Sequence, residues 1–183
     1  MNRYTAALAA VLLTAMPVFA QGNDTAPHSG FWLNGGLGAG FTDTGTLDDE
    51  TDSGPAAYLR MGGTPSDKLS LGGEFIGVAR DVDGVDVSQG NATLTALYYP
   101  TSPGGLFVKA GLGFANFTVS AELPGGATIT DDESGFGLTF GAGYDVRLGR
   151  NFFLTPNLDI LVQSFEEFAD SNVLLLTLGL GFH

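Results

Sequence analysis

The chain has 183 residues, 28 of them glycine, with a net charge of −13 and no cysteine. So acidic a chain argues against nucleic-acid binding, which needs a basic surface. Without cysteine the chain forms no disulfide bond and offers no thiolate metal ligand or cysteine nucleophile.

The first 20 residues have the pattern of a secretory signal peptide. Arg3 supplies a positive charge, residues 6–18 are mostly apolar, and Val18-Phe19-Ala20 fits the small-x-small cleavage rule. An N-terminal membrane helix is the alternative, but the apolar stretch is shorter than the roughly 20 residues that a helical span needs. We predict a signal peptide over residues 1–20, a polar linker over 21–29 and one barrel domain over 30–183.

Eight segments of alternating apolar and polar residues follow the linker. A period of two predicts β-strands with one apolar face, and most segments have the length of a tilted membrane-spanning strand. The predicted strands cover residues 30–42, 56–64, 69–80, 91–99, 106–117, 135–147, 152–165 and 172–182. Longer connections, over residues 43–55, 81–90, 118–134 and 166–171, alternate with short turns over 65–68, 100–105 and 148–151, as in outer-membrane barrels.

The charges inside these strands all fall on the face opposite the apolar side chains. They are Arg60, Glu74, Arg80, Lys109, Asp145, Arg147 and Asp159. A soluble barrel would turn the apolar face inward and leave glycines such as Gly36 and Gly141 on a solvated surface, where they weaken strands without a packing benefit. We therefore predict an all-β fold, an eight-stranded antiparallel up-and-down transmembrane β-barrel in the bacterial outer membrane, with both termini in the periplasm.

Four stretches of the sequence resemble a known family. They are Ala-Leu-Tyr-Tyr-Pro at 96–100, Phe-Val-Lys-Ala-Gly-Leu-Gly-Phe at 107–114, Leu-Thr-Phe-Gly-Ala-Gly-Tyr-Asp at 138–145 and Leu-Gly-Leu-Gly-Phe at 178–182. The chain resembles the small outer-membrane β-barrel superfamily, the OmpA/OmpX-like eight-stranded proteins. The resemblance implies that the barrel-assembly machinery is a partner during biogenesis and reads an aromatic at the end of the last strand. Here that aromatic is Phe182, followed by His183.

The inward charges form the first candidate site. We predict a lumen charge network that fills a plugged barrel, because a buried charge is tolerated only when it is paired. A narrow channel for small solutes or ions is the alternative. We expect Arg60 to face Glu74 across the turn over 65–68, and Lys109 to lie level with Asp145 on the next strand. The network residues are Arg60, Glu74, Lys109, Asp145, Arg147 and Asp159.

The acids of the longer connections form the second candidate site. These connections hold fifteen of the twenty acidic residues and no Lys or Arg. Carboxylates in such numbers could bind a hard cation such as Ca²⁺, but we favour the alternative, a solvated anionic surface that keeps the rim soluble. The possible cation ligands are Asp48, Asp49, Glu50, Asp52, Asp81, Asp83, Asp131 and Asp132.

Catalysis is not predicted. The two histidines, His28 and His183, both fall on the predicted periplasmic side, so a histidine-based site at the outer rim has no base. We expect no cofactor. The predicted function is a structural or surface-interaction role through acidic extracellular loops, for a monomer in contact with outer-membrane lipid and lipopolysaccharide.

Overall fold

A computed structural model describes residues 30–43, 52–82, 85–101, 104–122, 128–166 and 170–183. The predicted signal peptide and linker lie outside the described residues. Among the described residues, no helix is long and apolar enough to cross a membrane. The strands are β1 Gly30–Asp43, β2 Asp52–Ser66, β3 Leu69–Val82, β4 Val85–Tyr98, β5 Leu106–Glu122, β6 Thr128–Tyr144, β7 Val146–Arg147, β8 Phe152–Ser164 and β9 Ser171–Phe182.

The strands form one closed antiparallel sheet. Each strand from β1 to β6 pairs with the next, β6 pairs with β8, and β9 pairs with both β8 and β1. The two-residue β7 continues β6 beyond Asp145 and also pairs with β8. Counting β6 and β7 as one strand, the barrel wall has eight strands, and the pairing of β9 with β1 leaves no open edge between them. This confirms the predicted eight-stranded up-and-down barrel.

A proline explains why β6 is interrupted before β7. The β6–β8 ladder ends at the pair Gly143–Asn157 and resumes at Val146–Leu154, so Pro156 lies in the gap. Proline has no N–H to donate, and a strand interior therefore loses a ladder bond at that point. Inside the barrel, the Thr155 hydroxyl donates to the Asp145 carboxylate across the same gap at 2.7 Å.

The alternation of faces agrees with the sequence prediction. Along β9, Leu178 and Leu180 are exposed on the outer wall, whereas Leu175 and Thr177 are buried inside. On β5 the exposed apolar residues run from Leu106 to Phe114. Beyond Phe114, at the end of the barrel where β5 ends and β4 and β6 begin, the outward side chains are polar. They are Ser88, Asn116, Thr118, Ser120, Thr130 and Asp132. The outer wall thus has an apolar band with a polar extension on one side.

This extension corrects two predicted connections. β4 begins at Val85, whereas the sequence placed its start at residue 91, and β5 and β6 continue to Glu122 and from Thr128. Most of residues 81–90 and 118–134 is therefore strand. Above the apolar band both faces of a strand meet water, so the apolar–polar alternation that predicts a membrane strand disappears while the backbone ladder continues.

Candidate functional site: the barrel interior

Two basic and two acidic side chains meet in the middle of the lumen. Arg60 on β2 faces Glu74 on β3, as predicted, with 4.0 Å between Nη1 and Oε1. The Lys109 ammonium lies 2.5 Å from the same Glu74 oxygen and 2.8 Å from Oδ1 of Asp159. All four residues are nearly inaccessible to solvent. Their charges sum to zero, which is the condition under which buried charges are tolerated.

The Glu74–Lys109–Asp159 contact crosses the barrel from wall to wall. β3 and β8 are separated by three strands in either direction around the sheet. Lys109 on β5 reaches both of their carboxylates, so one ammonium connects opposite sides of the lumen.

Gly141 makes room for the Asp159 side of this contact. It lies directly between Lys109 on β5 and Asp159 on β8 in the register. A Cβ at Gly141 would overlap the Asp159 carboxylate. The space that a side chain at Gly141 would take is therefore filled by a side chain from the neighbouring strand, as expected in a narrow barrel.

The Arg60 guanidinium lies between two aromatic rings. Its Cζ is 4.9 Å from the ring centroids of both Tyr58 and Phe107, an arrangement in which the ring faces attract the cation. Nη2 also donates to the Asn157 amide oxygen at 3.1 Å. Arg60 thus fills the lumen as well as balancing charge.

A chain of hydrogen bonds leads from Arg60 to Asp145. Asn157 donates to the Tyr58 hydroxyl at 2.9 Å, and that hydroxyl donates to Asn34. Asn34 in turn donates to Thr155 at 2.9 Å, and Thr155 donates to Asp145. Sequence reasoning did not single out the two asparagines or Thr155, although all three occupy inward positions of their strands.

Asp145 differs from the predicted arrangement. The sequence placed it level with Lys109, but the residue opposite Lys109 is Gly141, and Asp145 lies four residues farther along the chain. Its carboxylate accepts from the Tyr99 hydroxyl at 3.0 Å and from Thr155 at 2.7 Å. The register of β5 and β6 thus gives Lys109 another acid as its partner.

Arg147 belongs to the turn at the barrel end. Its Nε donates to the Gly149 carbonyl at 2.8 Å and its Nη2 to the Arg150 carbonyl at 3.1 Å. β7 ends at this residue and the chain turns there, and the part of Arg147 in the lumen network stays a prediction.

Two clusters of apolar and aromatic side chains lie on either side of the polar middle. Toward the long strand ends, the cluster consists of Ala56, Tyr58, Ile76, Val78, Leu161, Val173 and Leu175. Toward the chain termini, it consists of Trp32, Leu97, Tyr99 and Phe107. Each cluster contains residues from well-separated strands, so side chains meet across the lumen in three successive layers.

The predicted cation ligands are not brought together in the described residues. Asp81 lies on β3, Asp131 and Asp132 lie on β6, and Asp52 begins β2. Among the residues described, no group of three or more His, Cys, Asp or Glu side chains could hold a metal ion. Asp48, Asp49, Glu50 and Asp83 lie outside the described residues, so their part in a cation site stays a prediction.

The end of the last strand is held by aromatic contacts. Phe182 lies on the outer wall, with its ring centroid 5.6 Å from that of Phe152. The following His183 donates its backbone N–H to the Asn151 carbonyl at 3.1 Å, and its ring centroid lies 5.0 Å from that of Phe153. The role of Phe182 as an assembly signal stays a prediction.

The family comparison matches nearly the whole chain. A family model described as "Outer membrane protein beta-barrel domain" matches residues 6–182. The chain belongs to this family. Its apolar outer wall is therefore the surface that meets the lipid of the bacterial outer membrane. A comparison with curated proteins found no match.

Solved structures with the same fold come from several bacteria. Neisserial surface protein A has 14% identity and a TM-score of 0.62, and the match covers 84% of this chain and 97% of that one. Ail, the attachment invasion locus protein of Yersinia pestis, has 15% identity and a TM-score of 0.56, over 84% and 98%. The N-terminal barrel domain of OprF from Pseudomonas aeruginosa has 19% identity and a TM-score of 0.52, over 84% and 97%. At these identities the likeness establishes the fold alone.

Proposed function

We propose that this protein is a structural and surface-interaction component of the outer membrane, without catalysis, that works through acidic residues on the cell-surface side. The filled lumen is the observation that carries the proposal. One ammonium joins carboxylates on opposite walls, and an arginine lies between two rings in the same layer. A barrel filled in this way leaves its outer end as the working surface.

The distribution of charge supports the orientation. Asp81, Asp86, Asp131 and Asp132 lie on the strand extensions at one end of the barrel. Lys68 and Arg150 lie in the tight turns at the other end. We place the acidic end outside the cell and the turns in the periplasm, after cleavage of the signal peptide. Two proteins of similar fold are described as a surface protein and an attachment invasion locus protein, which is consistent with a surface role.

We further propose that the protein works as a monomer. Its apolar band meets the outer-membrane lipid, and its acidic end meets the lipopolysaccharide layer, where divalent cations bridge carboxylates to phosphates. The barrel-assembly machinery is its partner during insertion.

A narrow channel is the second candidate function. Within the described lumen, Nε of Arg60, Oε2 of Glu74 and Oδ2 of Asp159 are buried without a hydrogen-bond partner. Buried polar atoms of this kind are usually solvated by ordered water. A connected file of such waters is the route that a small solute or ion would use.

The surface role is tested by the accessibility of the two ends in intact cells. An epitope inserted in the connection between β5 and β6, residues 123–127, is expected to bind antibody without permeabilisation. The matched insertion after Gly149, in the turn before β8, is expected to bind only after permeabilisation. Labelling of the Gly149 insertion alone in intact cells would contradict the proposed orientation and the surface role with it.

A further inference from the structure

Five polar side chains form a ring inside the barrel, at the end where the strands extend beyond the apolar band. Each lies on the inward face of its strand and has at least one buried nitrogen or oxygen atom without a hydrogen-bond partner among the described residues. The five are Thr42 on β1, Arg80 on β3, Gln89 on β4, Gln163 on β8 and Ser171 on β9. We call them the mouth ring.

Neighbouring members of the mouth ring are close in the register of the sheet. Gln163 pairs directly with Ser171. Thr42 pairs with the residue two positions beyond Ser171 on β9, and Gln89 lies two positions beyond the partner of Arg80 on β4. Diagonal neighbours of this kind on one face of a sheet lie about 7–8 Å apart. The stagger of tilted strands in a closed barrel brings these pairs to one height.

Two further contacts close the ring around the lumen. Gly54 is the inward residue of β2 beside Arg80, and a Cβ there would lie 3.1 Å from the Cβ of Arg80. β2 therefore places no side chain between Arg80 and Thr42. On the far side, Gln163 reaches across the lumen from β8 to β4, where its Nε2 donates to Oδ1 of Asn91 at 2.8 Å.

The mouth ring has an apolar floor and an aromatic wall. Val78, Leu161 and Val173 of the apolar cluster lie one inward position below ring members on their own strands. Phe117 lies opposite the ring residue of β4, and its ring packs edge to face against Phe165 with 6.0 Å between centroids. An apolar enclosure with a few convergent polar groups is the usual composition of a small-molecule site.

Arg80 is the member of the ring that a purely structural role explains least. Its Nε and Nη1 are buried without a partner, and no ion pair joins it to an acid in the described part of the chain. A guanidinium stays charged in proteins, and a buried charge without a partner lowers stability. Proteins retain such costs mainly at functional sites.

The unpartnered atoms require a ligand that both donates and accepts hydrogen bonds. Arg80 only donates, whereas the amide oxygens of Gln89 and Gln163 only accept. The amide orientation of Gln163 is fixed, because its Nε2 already has two acceptors. A phosphate or sulfate would leave both amide oxygens without donors, and a metal cation would be repelled by the guanidinium. Hydroxyl groups donate and accept without carrying charge.

The charge outside the mouth ring also favours a neutral ligand. Asp81, Asp86, Asp131 and Asp132 are exposed at this end of the barrel. Their field repels a free anion before it reaches Arg80. An uncharged ligand meets no such barrier.

We propose that the mouth ring binds a neutral sugar, with one pyranose ring above the apolar floor. Its adjacent hydroxyls replace ordered water on Arg80, on the two glutamine oxygens and on the hydroxyls of Thr42 and Ser171. The filled layers below make this a closed cup. The site extends the surface role to a ligand held inside the barrel mouth.

The test titrates simple hexosides into the full mature chain in phospholipid nanodiscs. The probes are the methyl α-glycosides of glucose, galactose and mannose, and the readout is the backbone amide NMR signals of the five ring residues. We expect at least one probe to shift these signals saturably, with a Kd of about 1–10 mM, because a monosaccharide makes few contacts. The Gly149 signal, in the turn at the other end, is expected to stay unchanged.

Two variants remove polar atoms from the ring and keep the size of the side chain. R80M and T42V are each expected to raise the Kd by about fivefold or more, because each removes hydrogen bonds to the ligand. Both should unfold at or above the parent's urea midpoint, since they remove buried polar atoms that have no partner. R150M, at an exposed arginine in the turn before β8, is the control and should change the Kd by less than about twofold.

Nanodiscs with and without lipopolysaccharide distinguish two sources of the sugar. A shift of the ring signals by lipopolysaccharide alone, with loss of hexoside binding, assigns the site to a glycan of the cell's own membrane. Equal hexoside titrations in both kinds of nanodisc assign it to a sugar from outside. Either result supports the sugar site.

Three results would overturn it. They are no saturable shift with any of the three hexosides, a lower Kd for inorganic phosphate at the same signals, and hexoside binding unchanged in both R80M and T42V. None depends on the orientation of the barrel in the cell, so each can occur while the epitope in residues 123–127 remains accessible. Failure of the sugar site is thus distinguishable from failure of the surface role.

Discussion

Gly141 is the residue on which the central ion pairs depend most directly. G141A places a methyl group where the Asp159 carboxylate lies, so Asp159 must move away from Lys109. Overpacking of this kind typically costs about 1–3 kcal/mol of unfolding free energy, and we expect a loss in that range. Reversible urea unfolding in lipid vesicles measures it.

The matched control for this change is G149A. A Cβ at Gly149 meets no atom within 4 Å, so we expect the free energy of unfolding to stay within about 0.5 kcal/mol of the parent. Equal effects of the two substitutions would show that Gly141 is not the space on which the ion pair depends.

Lys109 gives a second prediction for the same site. K109M removes the cation shared by Glu74 and Asp159 and leaves two carboxylates buried in the lumen. Removing one partner of a buried ion pair costs about 3–5 kcal/mol, and urea unfolding is expected to show a loss of that size. K68M, at an exposed lysine in the β2–β3 turn, is the control and should leave the unfolding midpoint unchanged. Unchanged stability in K109M would argue against a filled, ion-paired lumen.

The sequence predicted which residues point inward but not all of their partners. Alternation along a strand depends on that strand alone, so Arg60, Glu74 and Asp159 were assigned to the lumen correctly. The partner of Lys109 depends on the register of three strands at once, and a shift of four residues separates Asp145 from the position opposite it. The hydrogen bonds of Asn34 and Asn157 were not predicted, because the sequence does not distinguish a neutral amide from the other polar side chains that line the lumen.

Two arginine substitutions on the outer face of β5 test how much of this strand lies outside the membrane. Leu112 is 59% exposed within the apolar band, whereas Asn116 lies four residues farther along on the polar extension. A basic residue at the bilayer midplane costs about 2–4 kcal/mol, falling to about 0–1 near the interface. L112R should therefore lower the unfolding free energy in lipid vesicles by about 2–4 kcal/mol.

N116R serves as the comparison on the same strand and face. We expect a change of less than about 1 kcal/mol, because Asn116 lies beyond the lipid band. Similar losses from both variants would mean that the lipid reaches farther along β5 than the exposed apolar residues indicate.

Strand ends were predicted accurately where the outer face meets lipid, because lipid requires apolar and polar residues to alternate there. They were not predicted where the outer face meets water. β9 was predicted to within one residue, since its outer face is apolar along most of its length. β4 and β6 were predicted too short by six and seven residues at their outer ends, from 91 to 85 and from 135 to 128. There the ladder is maintained by backbone hydrogen bonds, which leave no pattern in the side chains.

The whole molecule is a barrel whose three interior layers join opposite walls. In the polar layer, Lys109 contacts Glu74 and Asp159 from opposite walls, and the apolar and aromatic layers close the lumen on either side. Pattern and composition predicted the closed eight-stranded fold, because no other arrangement satisfies both an apolar outer face and an edge-free sheet. Whether the buried polar atoms connect into a path depends on side-chain packing, which alternation does not encode.

Electrical conductance of the purified protein in a planar lipid bilayer tests the filled lumen most directly. Insertion is first confirmed by heat-modifiable mobility of the reconstituted protein. We expect no stepwise current across the voltage range in which the lipid itself is stable, because side chains span the lumen in each layer. Reproducible unitary steps from the inserted protein would contradict the filled lumen and establish the narrow channel instead.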